Sequence, residues 1–336
     1  MSKAKNTLVI GPNFFSMMKE IVHEINNQSG YCIYWDERFS NNFIVKIIYR
    51  LQLDYVFFLQ KKKYFQRLKN LIELENINFI YLIDVESFSR ADIIELLSID
   101  SIVEIYFYTW DSIKNKSKYL SYRDLLAKCS TFDPEDAKNF QLNYIPLYAN
   151  NSFVWDQSYK KNIDIYACCT LHSNRPSMLN FVRREANSLN LNIKFDLYYY
   201  NFILFMIRSL FSSDWRRNFK FVSFSGFSSY HIAENTKSSR YVLDLSHPKQ
   251  AGLTARTFEA LRAGAKLITN NRYAKLLLKD FEDRILFFDN ELSLLKILNA
   301  IKNNRSQAKE ISEPDNSYLS LEYFVANILE GTKLNG

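Results

Sequence analysis

Glycine and proline are scarce in this 336-residue chain, at 7 and 6. That scarcity excludes a disordered or loop-dominated chain and points to one built mostly of helices and strands. Cysteine is equally rare. Cys32, Cys129, Cys168 and Cys169 have no metal-ligand spacing, which excludes a zinc module and predicts reduced, structural thiols. No Asp-x-Asp pair occurs, so no carboxylate metal site is marked. No apolar run approaches the ~20 residues that span a bilayer; the longest, Leu197 to Phe211, is interrupted by Asn201 and Arg208. Met1-Ser-Lys-Ala-Lys5 runs straight into a first strand, so no leader is expected and a cytoplasmic location is. Gly11 follows that strand as in a dinucleotide fingerprint, but the second and third glycines are missing, which excludes the motif.

What is present is basic and aromatic. There are 43 Lys and Arg against 36 Asp and Glu, a net charge of +7, with 27 Phe and 22 Tyr. Such a surplus favours anionic partners. No nucleic-acid motif accompanies it, so the candidates are phosphorylated small molecules and lipid phosphates rather than DNA or RNA.

Apolar β-branched runs alternate with helical periodicity. Strands are expected at 7–11, 31–35, 79–83, 103–108 and 144–147, with helices near 14–25, 43–53, 64–74 and 91–97. Asp133-Pro-Glu-Asp136 opens another helix: Asp caps it, Pro takes its first turn, and two acids suit its positive end. Asn150-Asn-Ser152 reads as a linker. The alternation restarts with strands at 163–168, 193–198, 221–224, 241–245, 266–269 and 284–288, and helices at 176–187, 231–236, from Thr254 onward, and 292–301. Tyr199 to Phe211 reads as an aromatic helix packed in the core, in preference to an interfacial patch. An amphipathic helix at 316–329 follows. The pattern predicts an α/β protein of two doubly wound, Rossmann-like domains, 1–150 and 151–315, facing a cleft, followed by a C-terminal segment, 316–336.

Ligands of such sheets meet the C-terminal ends of the strands. In the first half those ends carry Asp36, Glu37 and Arg38, then Asp84 and Glu86, then Trp110-Asp111-Ser112, where Asp111 suits a general base or a turn cap. In the second half, His172, Ser173 and Arg175 follow the strand at 163–168. The richest stretch runs from Asp244 to Asn270: strand, polar loop, helix, strand. Thr254 stands at the N-cap and Gly264 at the left-handed stop. A helix start presents unpaired N–H groups to an anion, Gly252 permits close backbone approach, and Arg256 and Glu259 lie one turn apart.

This stretch, with its His-Pro, Gly-Leu-Thr, Arg-Thr, Glu-Ala-Leu and Lys-Leu-Ile-Thr elements, resembles the donor-binding segment of GT-B glycosyltransferases of bacterial capsule, lipopolysaccharide and exopolysaccharide assembly. Asp36-Glu-Arg-Phe-Ser-Asn41, Tyr108-Thr-Trp-Asp-Ser-Ile-Lys-Asn115 and Thr131-Phe-Asp-Pro-Glu-Asp-Ala137 resemble the same group, in consistent order. The resemblance implies a nucleotide-diphosphate sugar as co-substrate, with no separate cofactor and no metal, and a C-terminal helix within 316–336 that packs back on the first domain. Gly252, Leu253, Thr254, Arg256, His172, Ser173 and Arg175 would hold the diphosphate, and Glu259 the ribose. The first domain would take a glycan acceptor, lipid-linked in some such enzymes, with Asp111 or Asp36 as base. The chain departs from the retaining pattern at Ala251, where a glutamate is common; His247 either stands in for it or caps its own loop. A nucleotide-sugar epimerase, a glycerophosphate transferase or a non-catalytic assembly scaffold would share the fold. Lys61-Lys-Lys63, Arg67 and Lys69, interleaved with Tyr64, Phe65 and Leu68, suggest peripheral contact with the inner membrane face.

Overall fold

The computed structural model describes residues 6–13, 17–42, 45, 48, 49, 53–114, 117–247, 250–304 and 317–330. The chain forms two compact units, one of Met1–Pro146 with Leu321–Gly336, the other of Leu147–Ser320.

The first unit alternates β1 (Thr7–Gly11), α1 (Met17–Ser29), β2 (Cys32–Asp36), α2 (Phe58–Leu74), β3 (Phe79–Ile83), α3 (Arg90–Leu97), β4 (Glu104–Thr109), β5 (Lys128–Thr131), α4 (Pro134–Phe140) and β6 (Asn143–Tyr144). All pairs are parallel, in the order β2-β1-β3-β4-β5-β6. The central strands are uninterrupted runs such as Phe79-Ile-Tyr-Leu-Ile83, buried on both faces as parallel strands require. Asp133 caps α4 by accepting from the amides of Glu135 and Asp136. Two expectations change. β5 is a strand although Lys-Cys-Ser-Thr carries no apolar run, because its neighbours β4 and β6 bury it. The Lys61–Lys63 run lies on α2 rather than ahead of it, and Tyr64, Phe65 and Leu68 point into the core. Lys61 pairs with Asp92 at 2.6 Å and Lys69 with Glu95 at 2.7 Å. Tyr64, Phe65 and Leu68 are therefore spent on packing and cannot face a membrane, while Phe58 and Leu59 at the start of the helix are exposed. Most of the helix expected at 43–53, and the start of the one expected from Phe14, lie outside the described residues.

The second unit runs β7 (Ile163–Thr170), α5 (Arg175–Ser188), β8 (Ile193–Tyr198), α6 (Phe202–Phe211), α7 (Ser213–Arg217), β9 (Val222–Ser223), α8 (Ser229–Lys237), β10 (Ser239–Asp244), α9 (Ala255–Arg262), β11 (Lys266–Thr269), α10 (Tyr273–Leu277), β12 (Ile285–Phe287) and α11 (Glu291–Asn303). Its parallel sheet has the order β12-β11-β10-β7-β8-β9. Read by sequence this is the Rossmann order, and it reverses direction between β7 and β10. Phe258 and Leu261 bury one side of α9 against the sheet, contributing about 1.5–3 kcal/mol each. Gly264 ends α9 at φ 71°, and a Cβ there would lie 2.3 Å from Cδ1 of Trp155. α6 departs from expectation: among its residues Phe205 and Ser209 are buried, and the remaining apolar side chains are exposed.

The chain then returns to the first unit with α12 (Leu321–Glu330). Leu321, Phe324, Val325 and Ile328 are buried. The Ile328 carbonyl accepts from the Tyr81 hydroxyl at 2.6 Å, and Phe324 meets Tyr108 edge-on at 5.2 Å.

Candidate functional site

The reversal in the second sheet places the ends of β7 and β10 side by side, with a helix start following each. β10 ends at Asp244, a buried carboxylate. Its Oδ2 accepts from the Thr254 hydroxyl at 2.7 Å and the Thr257 hydroxyl at 3.0 Å. These two residues share one side of α9 three positions apart. Thr254 thus sits at the N-cap, but its hydroxyl caps nothing. The hydroxyl donates to Asp244, and the charge-assisted bond holds the side chain turned toward the strand end instead of over the amides of the first turn. Among the described residues no acceptor meets the backbone N–H groups of Ala255 and Arg256. The loop between strand and helix is fixed from β11. Asn270 Oδ1 accepts from both the amide and the hydroxyl of Ser246, and Asn271 Nδ2 donates to the carbonyls of Ala251 and Gly252. Leu253 is buried beneath this loop. Pro248 and Lys249 lie outside the described residues.

The loop after β7 adds the other half. Asn174 stands at the N-cap of α5, again without a side-chain cap. Ser173 is exposed and held at φ 51°, a left-handed conformation that non-glycine residues adopt at a cost of about 1–3 kcal/mol. Its hydroxyl lies 3.2 Å from His172 Nδ1. Arg175 is neither solvated nor wholly available. Its Nε donates to the Leu245 carbonyl at 2.8 Å and one terminal nitrogen donates to the Thr170 carbonyl at 2.9 Å, which staples the two loops together. Burial, then the charge of Arg175 and the neighbouring His247, push His172 down to about 4. At neutral pH it is an uncharged hydrogen-bonding ring, so it would hold a diphosphate by a hydrogen bond and not by charge. The His172 and His247 rings face each other at 6.1 Å, one from each loop.

Arg256 and Glu259 do not stand open as separate ligand groups. Arg256 Nη1 meets Glu259 Oε2 at 2.5 Å, both side chains are largely buried, and Arg256 Nε has no partner among the described residues. Burial alone would lower the Arg256 pKa; the carboxylates of Glu259 and, less, Asp244 more than offset it, and the net shift is upward. The guanidinium therefore stays charged and serves Glu259.

In the first unit the strand-end charges largely answer one another. Glu37 is buried and accepts from the amides of Glu86 and Ser87, while Arg38 bridges Glu37 and Glu86 at 2.7 Å each. Asp36 accepts from the Arg38 amide and from Asn41 Nδ2. Asp84 is buried, at φ 52°, and accepts from the Thr109 hydroxyl. Asp111 accepts from the Ser112 amide, the turn-capping half of its expected role. Asp244, Asn270 and Asn271 went unmarked in the sequence reading. The signal for Asp244 was available: it is an acid at a strand end, like Asp36 and Asp84, followed ten residues later by Thr254.

The two sheets and their helices define a fold of GT-B type. Solved structures that match over nearly the whole chain share it. HepE from Anabaena in complex with UDP-glucose is 9% identical, covers 97% of this chain and 98% of its own, and has a TM-score of 0.63. The UDP-GlcNAc 2-epimerase from Methanocaldococcus jannaschii is 10% identical, with 97% and 99% covered and a TM-score of 0.54. A glycosyltransferase from Rickettsia africae is 12% identical, with 98% of each chain covered and a TM-score of 0.56. No protein-family profile and no curated protein matches the sequence.

Proposed function

We propose that the chain is a glycosyltransferase that moves a sugar from a nucleotide-diphosphate sugar to a hydroxyl of a surface-glycan acceptor. One observation carries the reading: two helix starts, neither capped by its own side chain, follow adjacent strands where the Rossmann-ordered sheet reverses. The unpaired amides at the α9 start suit a diphosphate, while at the α5 start the Arg175 amide donates to the His172 carbonyl and Pro176 has no N–H, so that loop contributes side chains. UDP-glucose bound to the similarly folded HepE supports a nucleotide sugar as the occupant.

In this mechanism the amides of Ala255 and Arg256 hold the diphosphate as the bond to the anomeric carbon breaks. His172 and Ser173 donate neutral hydrogen bonds, and Arg175 keeps both loops in place. Arg256 keeps Glu259 ionised and aimed, and Glu259 accepts from the ribose diol. The acceptor oxygen bonds to the anomeric carbon and its proton passes to a general base, for which His247 is the candidate within the second unit. The nucleotide diphosphate departs with its negative charge on the α9 start.

The M. jannaschii epimerase keeps a second reading alive, in which the sugar is isomerised and no acceptor is needed. Incubation with UDP-, GDP-, CDP- and dTDP-sugars separates them. Transfer predicts a thermal upshift with one nucleotide class and turnover only when acceptor is added. Acceptor-free isomerisation of the sugar would replace transfer by epimerisation, and no thermal response to any nucleotide would reject both.

A further inference from the structure

Helix α6 is apolar on opposite sides. Phe205 and Ser209 face inward, where Phe205 packs edge-on against Trp215 and Phe224. Ile203, Met206, Ile207 and Leu210 recur at the spacing of one helix face, and that face points to solvent. Ile203 is 68% exposed, Leu210 71% and the following Phe211 86%. Arg208, the helix's one ionisable residue, lies over the rings of Tyr199 and Trp215, away from that face. A helix apolar all round is normally covered, and this one is covered on one side.

The surroundings specify what covers the other. Arg216 and Arg217 end α7, Lys220 follows, and all three are exposed. Arg183, Arg184, Arg217 and Lys220 line an open cavity of about 690 Å³ beside α7, with Asp214 and Glu291 as its acids. Asp214 is engaged by Asn180, Arg184 pairs with Glu185 at 2.7 Å, and Arg183 lies over the Phe221 ring bonded to Asn180 and Asn218, which leaves Arg217 and Lys220 as the cavity's cations turned to solvent. The patch is thus an apolar face beside a cationic pocket. A second copy docked here by a two-fold axis would set cations against cations. An anionic bilayer satisfies both parts, taking the apolar face among its acyl chains and lipid phosphates in the pocket.

We propose that α6 and the adjoining basic pocket dock the second unit on an anionic membrane surface. The helix leaves the C-terminal end of β8, the same sheet edge as the candidate site, so docking brings that edge to the lipid. The inference does not depend on the sugar chemistry, and its test contains no nucleotide.

The test is co-sedimentation of the full chain with vesicles of phosphatidylcholine alone or with 30% phosphatidylglycerol. Binding to the anionic vesicles should be about tenfold or more above binding to the neutral ones. The triple substitution Ile203→Glu, Ile207→Glu and Leu210→Glu should abolish it at an unchanged melting temperature. The milder Ile207→Ser with Leu210→Ser should weaken it if the first variant misfolds. Arg217→Ala with Lys220→Ala should reduce the preference for anionic lipid, and Val103→Glu, at an exposed site in the first unit, should leave binding intact. Failure of the parent protein to sediment, or equal sedimentation of the triple variant, overturns the proposal. So does a dimer of the parent, seen by light scattering, that the triple variant converts to monomer without lipid binding in either.

Discussion

Asp244 is the residue on which the candidate site is assembled, because one carboxylate oxygen holds both Thr254 and Thr257. Replacing it with alanine leaves two hydroxyls without their charged acceptor. Asp244→Ala should cost about 3 kcal/mol in urea unfolding and erase any thermal response to nucleotide. Thr254→Val should have the milder effect on stability, about 1 kcal/mol, since Thr257 keeps its bond. His172 gives a second test. Its folded pKa of about 4 lies below the ordinary 6.5. The unfolded ring therefore takes up a proton first as pH falls, so the stability tied to the neutral ring is full above about pH 6.5 and is lost toward pH 4. Melting temperatures across that window should fall less steeply in His172→Asn than in the parent. Equal slopes would show that the ring is not held neutral by its surroundings.

At the scale of elements, Gly264 shows why a short helix can be placed so tightly. It closes α9 in a left-handed turn with Trp155 against its Cα. Gly264→Ala should lower stability by about 1–3 kcal/mol, read as a drop in melting temperature, through both the backbone conformation and the clash. Most elements here were legible because parallel strands buried on both faces are written as unbroken apolar runs, and the turn signals between them are sharp. β5 was not, because a strand of Lys-Cys-Ser-Thr owes its existence to the partners on either side. α6 was misplaced for the opposite reason. Composition marks a helix as apolar but cannot say that half of its apolar surface meets no protein. The same limit applied to Arg256 and Glu259. Their spacing was plain, but whether two such charges meet a ligand or each other depends on how deeply the fold buries them, and here both are largely buried and paired.

For the molecule as a whole, α12 is the part of the first unit that arrives last. Removing 321–336 uncovers Tyr81 and Tyr108 and deletes four buried apolar side chains, each contributing about 1.5–3 kcal/mol. The truncated chain should unfold at a markedly lower temperature and aggregate, as followed by circular dichroism and light scattering. A truncation that melts like the parent would show that α12 adds nothing to that unit. The arrangement also bears on synthesis. Pro146 leaves the ribosome long before Leu321, and at about 5–20 residues per second the 174 residues of 147–320 take roughly ten to thirty-five seconds to make. Throughout that interval the first sheet waits with one flank bare. A nascent chain stalled anywhere in the second unit therefore displays an unfinished first one, an open invitation to chaperones and proteases.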